Sequence, residues 1–220
     1  MKILIVSATK FEIGSLLEKM SAVDSHNGTI FFCKYKDLEI DFLITGVGMV
    51  ATSYFTGKVL DDSYDIALNI GICGSFNRNL EMGEIVNIYE DSFSELGAED
   101  DDKFLTLEAL NLPGISKIEN KSGALHPVIE SIPKVTGITV NTSHGNEASI
   151  KQVLDNFHPN VESMEGAAFM FVCENENIPY VQIRAVSNYV EKRNKDSWNI
   201  PLAIENLNKQ VIEILEALNN

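Results

Sequence analysis

Apolar and polar positions along the chain switch repeatedly between a strand-like and a helix-like period. Ile3 to Val6 is an unbroken apolar run, and from Phe11 to Met20 the residues Ile13, Leu16 and Leu17 recur at helical spacing. Thr29 to Tyr35 and Leu38 to Ile44 read as a hairpin closed near Lys36-Asp37. Gly46-Val47-Gly48 turns into a helix running to about Leu60. Ile66 to Ile70, Glu84 to Tyr89, Ile138 to Val140, Val161 to Ser163 and Tyr180 to Val186 are the remaining predicted strands. Further helices are predicted near Ala148 to Asn156, Gly166 to Asn175 and Pro201 to Leu218. Apolar strands interleaved with helices predict an α/β fold: a three-layer sandwich whose central mixed, largely parallel twisted sheet is flanked by helices on both faces.

Residues 91–136 break this rhythm. They are acidic at Glu99-Asp100-Asp101-Asp102, contain Gly and Pro, and show weak periodicity. A loop this long in a compact domain reads as a lid or interface segment, or equally as a solvated insertion without a role.

The chain has 220 residues, with no internal repeat and no composition shift that marks a linker, so residues 1–220 are expected to form one domain. A net charge of -15 sets it against nucleic acid and anionic membrane surfaces, both of which would repel it. The apolar N-terminal run is too short for a secretory signal, and no apolar run approaches the roughly 20 residues that span a bilayer. Cys33, Cys73 and Cys173 lie in apolar contexts without metal-like spacing, so they are expected to be reduced and buried in a cytoplasmic protein.

The chemistry concentrates at predicted strand ends. Glu165, in Val161-Glu162-Ser163-Met164-Glu165-Gly166-Ala167-Ala168, opens a mostly apolar helix just after a short strand. The strand Tyr180-Val181-Gln182-Ile183-Arg184-Ala185-Val186-Ser187-Asn188 also ends in polar groups. Two polar strand ends suggest a site at the carboxyl edge of the sheet, although the helix dipole alone would account for a carboxylate at Glu165. Thr45-Gly46-Val47-Gly48 and Asn69-Ile70-Gly71-Ile72-Cys73-Gly74-Ser75 leave strands as glycine turns that let backbone N–H groups approach a ligand. Neither matches a dinucleotide fingerprint or a P-loop, and tight packing would explain the same glycines.

In order and spacing, the N-terminal Met1-Lys2-Ile3 with Glu12, the two glycine turns, Ser163-Met164-Glu165-Gly166 and Arg184 to Asn188 resemble the nucleoside phosphorylase and nucleosidase superfamily over nearly the whole chain. Ser187 to Arg193, Trp198 to Ile204 and Glu95-Leu96-Gly97-Ala98-Glu99-Asp100 are similar to its futalosine hydrolase branch. The resemblance implies a metal-free, cofactor-free cleavage of a purine N-ribosidic bond, with a small-molecule nucleoside as partner. For that branch the substrate would be futalosine, the products hypoxanthine and dehypoxanthinyl futalosine, and the pathway menaquinone biosynthesis. It also implies a homodimer or larger assembly, with residues near Phe104 completing a neighbour's site.

Such a reaction leaves an oxocarbenium-like sugar and an electron-rich base, so an enzyme must grip the ribose, supply a nucleophile and stabilise the leaving group. The resemblance puts Glu165 on the ribose hydroxyls, Met164 against the sugar face and Glu12 as the base that activates water; a surface carboxylate in the first helical turn is the plain alternative for Glu12. Ser163, Cys73, Gly74 and Ser143, the last in Asn141-Thr142-Ser143-His144-Gly145, are the further candidate substrate contacts. Arg184 is also a candidate contact, although it suits orientation of neighbouring groups better. His144 is expected near the site without a derivable role.

Phosphorylases of the superfamily bind phosphate with an Arg two residues before the position of Gly71 and a Ser after it; here those positions are Asn69 and Ile72. Ser7-Ala8-Thr9-Lys10 also lacks their Gly-Asp-Pro pattern. Lys10 and Arg78 could replace the lost charge, but both suit solvated surface, so water is the expected nucleophile. Adenine-cleaving nucleosidases of the superfamily carry Asp where this chain has Asn188. Asn is no general acid, but its amide can donate to N7 and O6 of a 6-oxopurine, which favours hypoxanthine; capping of a strand end is the alternative.

Lys192, Arg193 and Lys195 are the densest basic cluster; one could meet the benzoate of futalosine, with solvation the expected state of each. Trp198 is expected to anchor the last helix rather than line a tail site. The competing readings are a methylthioadenosine/S-adenosylhomocysteine-type or aminodeoxyfutalosine nucleosidase and a non-catalytic nucleoside-binding or storage relative. The second has no use for a water-activating base.

Overall fold

The computed structural model describes residues 1–123 and 125–219. In chain order the elements are β1 (Lys2–Ser7), α1 (Lys10–Lys19), β2 (Val23–His26), β3 (Ile30–Tyr35), β4 (Leu38–Ile44), α2 (Met49–Val59), β5 (Ile66–Ser75) and β6 (Ile85–Phe93). They continue with β7 (Gly97–Asp100), β8 (Lys103–Thr106), β9 (Lys117–Glu119), α3 (Pro127–Glu130), β10 (Lys134–Thr139), α4 (Glu147–Phe157), β11 (Val161–Ser163), α5 (Gly166–Glu176), β12 (Tyr180–Tyr189) and α6 (Ile200–Leu218).

The strands β11-β10-β6-β12-β5-β1-β4-β3-β2 form one mixed sheet, with β9 added to β6. Its centre, β12-β5-β1-β4, is parallel; the β2-β3-β4 meander and the β6–β12 pair are antiparallel. The pattern of β1 shows why its residues are apolar without alternation. Ile3 and Ile5 join one core with Ile13 and Leu16 of α1 and Leu207 and Ile214 of α6, whereas Leu4 and Val6 join the opposite core with Phe169 and Met170 of α5. Both faces are covered, so every position from Ile3 to Ser7 is buried. Helix α5 lies between the sheet and α2, which is why every residue from Gly166 to Cys173 except Phe171 is buried.

The sheet also closes on itself, a feature that periodicity did not predict. At its C-terminal end β5 pairs antiparallel with β11, Gly74 facing Glu162 and Ser75 facing Val161. The circuit β11-β10-β6-β12-β5 is therefore a ring beside an open wing. The β5, β6, β10 and β12 strands all run longer than their apolar cores predict, because their polar ends are held by this ring.

Residues 91–136 are not a bare loop. β9 pairs with β6, Ile118 and Ile129 are buried in the cores, and β7–β8 is a hairpin whose Phe104 packs on Phe157 of α4. The three cysteines are free and buried. Among the described residues no helix is long and apolar enough to cross a membrane.

Candidate active site

A cavity of about 380 Å³ opens where the ends of β1, β5, β11 and β12 meet the start of α1 and the β4–α2 turn. Glu12, Cys73, Gly74, Ser143, Ser163, Met164, Glu165 and Asn188 all line it, so eight of the nine residues expected at the site are brought together.

Glu12 stands in the first turn of α1, and the surface alternative fails: it is buried. Its Oε2 accepts from Ser7 Oγ at 3.2 Å, Thr9 N at 3.0 Å and Thr9 Oγ1 at 2.8 Å. Its Oε1 accepts from Ile72 N at 3.2 Å, which leaves Oε1 the less occupied oxygen. A methyl group on Gly71 would stand 2.9 Å from Glu12 Oε1 and 3.1 Å from Arg184 Nη1, so only glycine lets both side chains approach this strand.

Glu165 is not spent on its own helix. The N–H of Gly166 is 3.3 Å from Ser163 Oγ, and that of Ala167 is 2.7 Å from Thr139 Oγ1; these hydroxyls satisfy the start of α5. The Glu165 carboxylate instead accepts from Gly48 N at 3.0 Å. Gly48 has φ +99°, a backbone state that suits glycine and aims this N–H across the cavity. Burial raises the Glu165 pKa, opposed chiefly by the positive charge of Arg184 and reinforced by the negative charge of Glu12.

Asn188 follows a register shift in the β12–β5 ladder, between Val186 and Asn188. The irregularity turns its half-buried amide toward the cavity. Ser187 Oγ lies 2.9 Å from Asn188 Oδ1, and Asn188 Nδ2 donates to Tyr189 O at 3.1 Å, which leaves a second amide hydrogen. Burial pushes the Cys73 thiol up to about 12, so it stays protonated and serves as apolar wall.

Arg184 departs from the expected substrate contact. It does not line the cavity; it is buried beneath the floor and donates through Nη2 to Asn69 Oδ1. Asn69 Nδ2 in turn donates to Val6 O at 3.1 Å. The position that carries the phosphate-binding Arg in phosphorylases is thus an amide locked into the sheet, and Ile72 presents an apolar side chain to the cavity. Lys10 lies over the Phe31 ring, and Arg78 pairs with Glu191 at 2.7 Å. Among the described residues Arg193 is the only Lys or Arg on the cavity lining, which also carries three carboxylates, Glu12, Glu162 and Glu165.

One further expectation is corrected: Trp198, expected only to anchor the last helix, lines the cavity. Arg193 is exposed, as expected, but it also lines the cavity, with its guanidinium 5.0 Å from the Trp198 ring centroid. Glu162 was missed. It is buried on the cavity wall, where Oε2 lies 2.6 Å from His144 Nδ1 and Oε1 accepts from His144 N at 3.0 Å. A charged residue at the centre of the short strand Val161-Glu162-Ser163 was the signal that could have found it.

Residues 2–218 match the family model of the Phosphorylase superfamily, and the chain belongs to that superfamily. It is 27% identical over 194 residues to futalosine hydrolase of Streptomyces coelicolor, covering 82% of this chain and 80% of that protein. Among solved structures it is similar to a methylthioadenosine/S-adenosylhomocysteine nucleosidase from Colwellia psychrerythraea 34H in complex with adenine, with TM-score 0.81, 22% identity and 99% and 96% of the two chains covered. A futalosine hydrolase mutant of Helicobacter pylori strain 26695 matches with TM-score 0.81, 19% identity and 98% of each chain covered. The α/β architecture read from the sequence is that of these structures. Membership and the curated futalosine hydrolase relative together make the chain a hydrolase acting on N-glycosyl bonds.

Proposed function

We propose that the chain hydrolyses the N-ribosidic bond of futalosine, releasing hypoxanthine and dehypoxanthinyl futalosine, as a step toward menaquinone. The observation that carries this reading is that Glu12, Glu165 and Asn188 line one cavity, with Glu12 close enough for its charge to raise the Glu165 pKa.

In this reading Glu12 Oε1 takes the proton of the attacking water, a role that contributes about 10²–10⁴-fold in related general-base catalysis. Glu165 accepts from the ribose hydroxyls while its charge stabilises the oxocarbenium-like sugar, and Met164 walls the sugar face. Cys73, Gly74, Ser143 and Ser163 shape the purine end, where the free hydrogen of the Asn188 amide donates to N7 or O6. Arg184 positions rather than binds: its buried charge offsets the burial cost of Glu165. Water is favoured over phosphate because the lining carries three carboxylates and one Arg, an arrangement that opposes a dianion. Arg193, stacked on Trp198 at the cavity wall, suits a benzoate tail.

The second reading, a methylthioadenosine/S-adenosylhomocysteine-type nucleosidase, is favoured by the similarity to the Colwellia structure and disfavoured by Asn188. Base release from futalosine, aminodeoxyfutalosine, methylthioadenosine and inosine, with and without phosphate, separates the two. Fast phosphate-independent release of hypoxanthine from futalosine is expected. Preferential adenine release would select the second reading, and tight nucleoside binding without turnover would select a binding or storage protein.

A further inference from the structure

The cavity contains a carboxylate–imidazole pair, a buried Glu162 with a half-buried His144, that the proposed chemistry has not used. The antiparallel pairing of β5 with β11 sets Glu162 opposite Gly74, and the β12 ladder sets Asn188 opposite the same glycine. A methyl group at Gly74 would lie 3.2 Å from Asn188 Nδ2 and 3.4 Å from the Glu162 side-chain carbon Cγ. Glu162 and Asn188 therefore flank one point of the cavity, at the purine end.

Glu162 holds His144 twice, through the ring Nδ1 at 2.6 Å and the main-chain N–H at 3.0 Å. The edge of Phe76, with centroids 6.2 Å apart, supports the ring from another side. With Nδ1 on the carboxylate, Nε2 is the remaining ring nitrogen; among the described residues it has no hydrogen-bond partner, and His144 lines both this cavity and the adjacent one beside Phe104. A carboxylate behind an imidazole fixes the tautomer and stabilises the imidazolium, the arrangement that makes histidine a proton donor.

An amide at Asn188 can hold the departing purine but cannot give it a proton. From the pair beside it we propose that His144 is the general acid of the reaction and Glu162 its positioning residue. This rests on reading the cavity as a nucleosidase site. As the C1′–N9 bond breaks, its electron pair moves into the purine, and N7 takes the proton of His144 Nε2. The water oxygen bonds to C1′ and keeps one hydrogen, while its other proton passes to Glu12. The base leaves neutral, and solvent exchange restores the imidazolium and the Glu12 carboxylate.

The test compares futalosine with its N7-methylated form, whose base leaves neutral without a proton. In His144→Gln and Glu162→Gln, kcat for futalosine is expected to fall about 100-fold or more with KM changed only a few-fold. Turnover of the methylated substrate should stay within a few-fold of the unaltered protein. Parallel losses on both substrates would make the pair merely structural and overturn the proposal. Should the methyl group block the unaltered protein, added imidazole carries the test in His144→Ala: restored base release supports the proposal, and its absence in a folded variant sinks it. These outcomes are separate from the function reading, which depends on which base the unaltered protein releases.

Discussion

At the scale of single residues, the proposed discrimination between purines rests on the one amide of Asn188. Ser187 Oγ sits 2.9 Å from its Oδ1 and 3.1 Å from Cys73 O, and with Nδ2 donating to Tyr189 O one amide hydrogen is left for a ligand. A carboxylate at the same point would accept from a 6-amino group and repel a 6-oxo group. Asn188→Asp is therefore expected to lower the ratio of kcat/KM for futalosine over aminodeoxyfutalosine by about 10-fold or more, the scale of one buried hydrogen bond made or lost. A ratio that does not move would remove Asn188 from base recognition. Glu165 was legible as a candidate because a carboxylate beside a strand end is unusual in an otherwise apolar pattern, whereas Glu12 was identified only through the resemblance to the superfamily. Of the two roles weighed for Arg184, orientation of neighbouring groups is the one the burial fits, and only packing reveals that its partner is Asn69 under the floor.

Among the elements, the start of α5 determines where Glu165 points, and a buried acid fixes that start. Asp91 on β6 is wholly enclosed; its Oδ1 accepts from Thr139 Oγ1 at 3.0 Å and its Oδ2 from Gln182 Nε2 at 2.9 Å. Thr139 Oγ1 in turn accepts from Ala167 N, so the chain of bonds runs from Asp91 to the first turn of α5. Burial raises the Asp91 pKa from 3.8 to about 6, partly offset by these hydrogen bonds and by Arg184. The folded state thus binds this proton more tightly than the unfolded chain does. Its contribution to stability is complete below the unfolded pKa and disappears as pH rises through the folded one, a change of about 3 kcal/mol for a shift of this size. Urea unfolding of the unaltered protein and of Asp91→Asn, followed from pH 3.5 to 7, should show their stability difference moving by that order against the unaltered protein. A difference independent of pH would mean that Asp91 titrates alike in both states.

Over the whole molecule, one rim of the cavity continues into an apolar surface. Val47 lines the cavity, and beyond it Val50 (82% exposed) and Tyr54 (61% exposed) stand on the outer face of α2 with the partly exposed Phe55. Clustered exposed side chains of this kind are the usual mark of an interface. A second copy of the chain is the expected cover. Light scattering should then give a dimer, and Val50→Glu with Tyr54→Glu should give a monomer with weakened turnover. A monomer at micromolar concentration for the unaltered protein would remove this expectation.

Apart from Glu12 and the site roles, which came through resemblance to the superfamily, the sequence by itself determined the α/β class, the order of strands and helices in the two cores, and the polar strand ends at Glu165 and Asn188. These are local matters: hydrophobic period, glycine turns, and polar groups placed where apolar strands stop. What tertiary structure alone decided is how those strand ends meet. No periodicity signals that β5 bends over to pair with β11, because the closing residues Gly74, Ser75, Val161 and Glu162 are too few to carry a pattern. Yet that closure brings Glu162 and His144 beside Asn188, and the same long-range packing places Arg193 and Trp198 on the cavity wall. Contacts between segments far apart in the chain depend on the geometry of the whole sheet, which a reading of neighbouring residues does not contain.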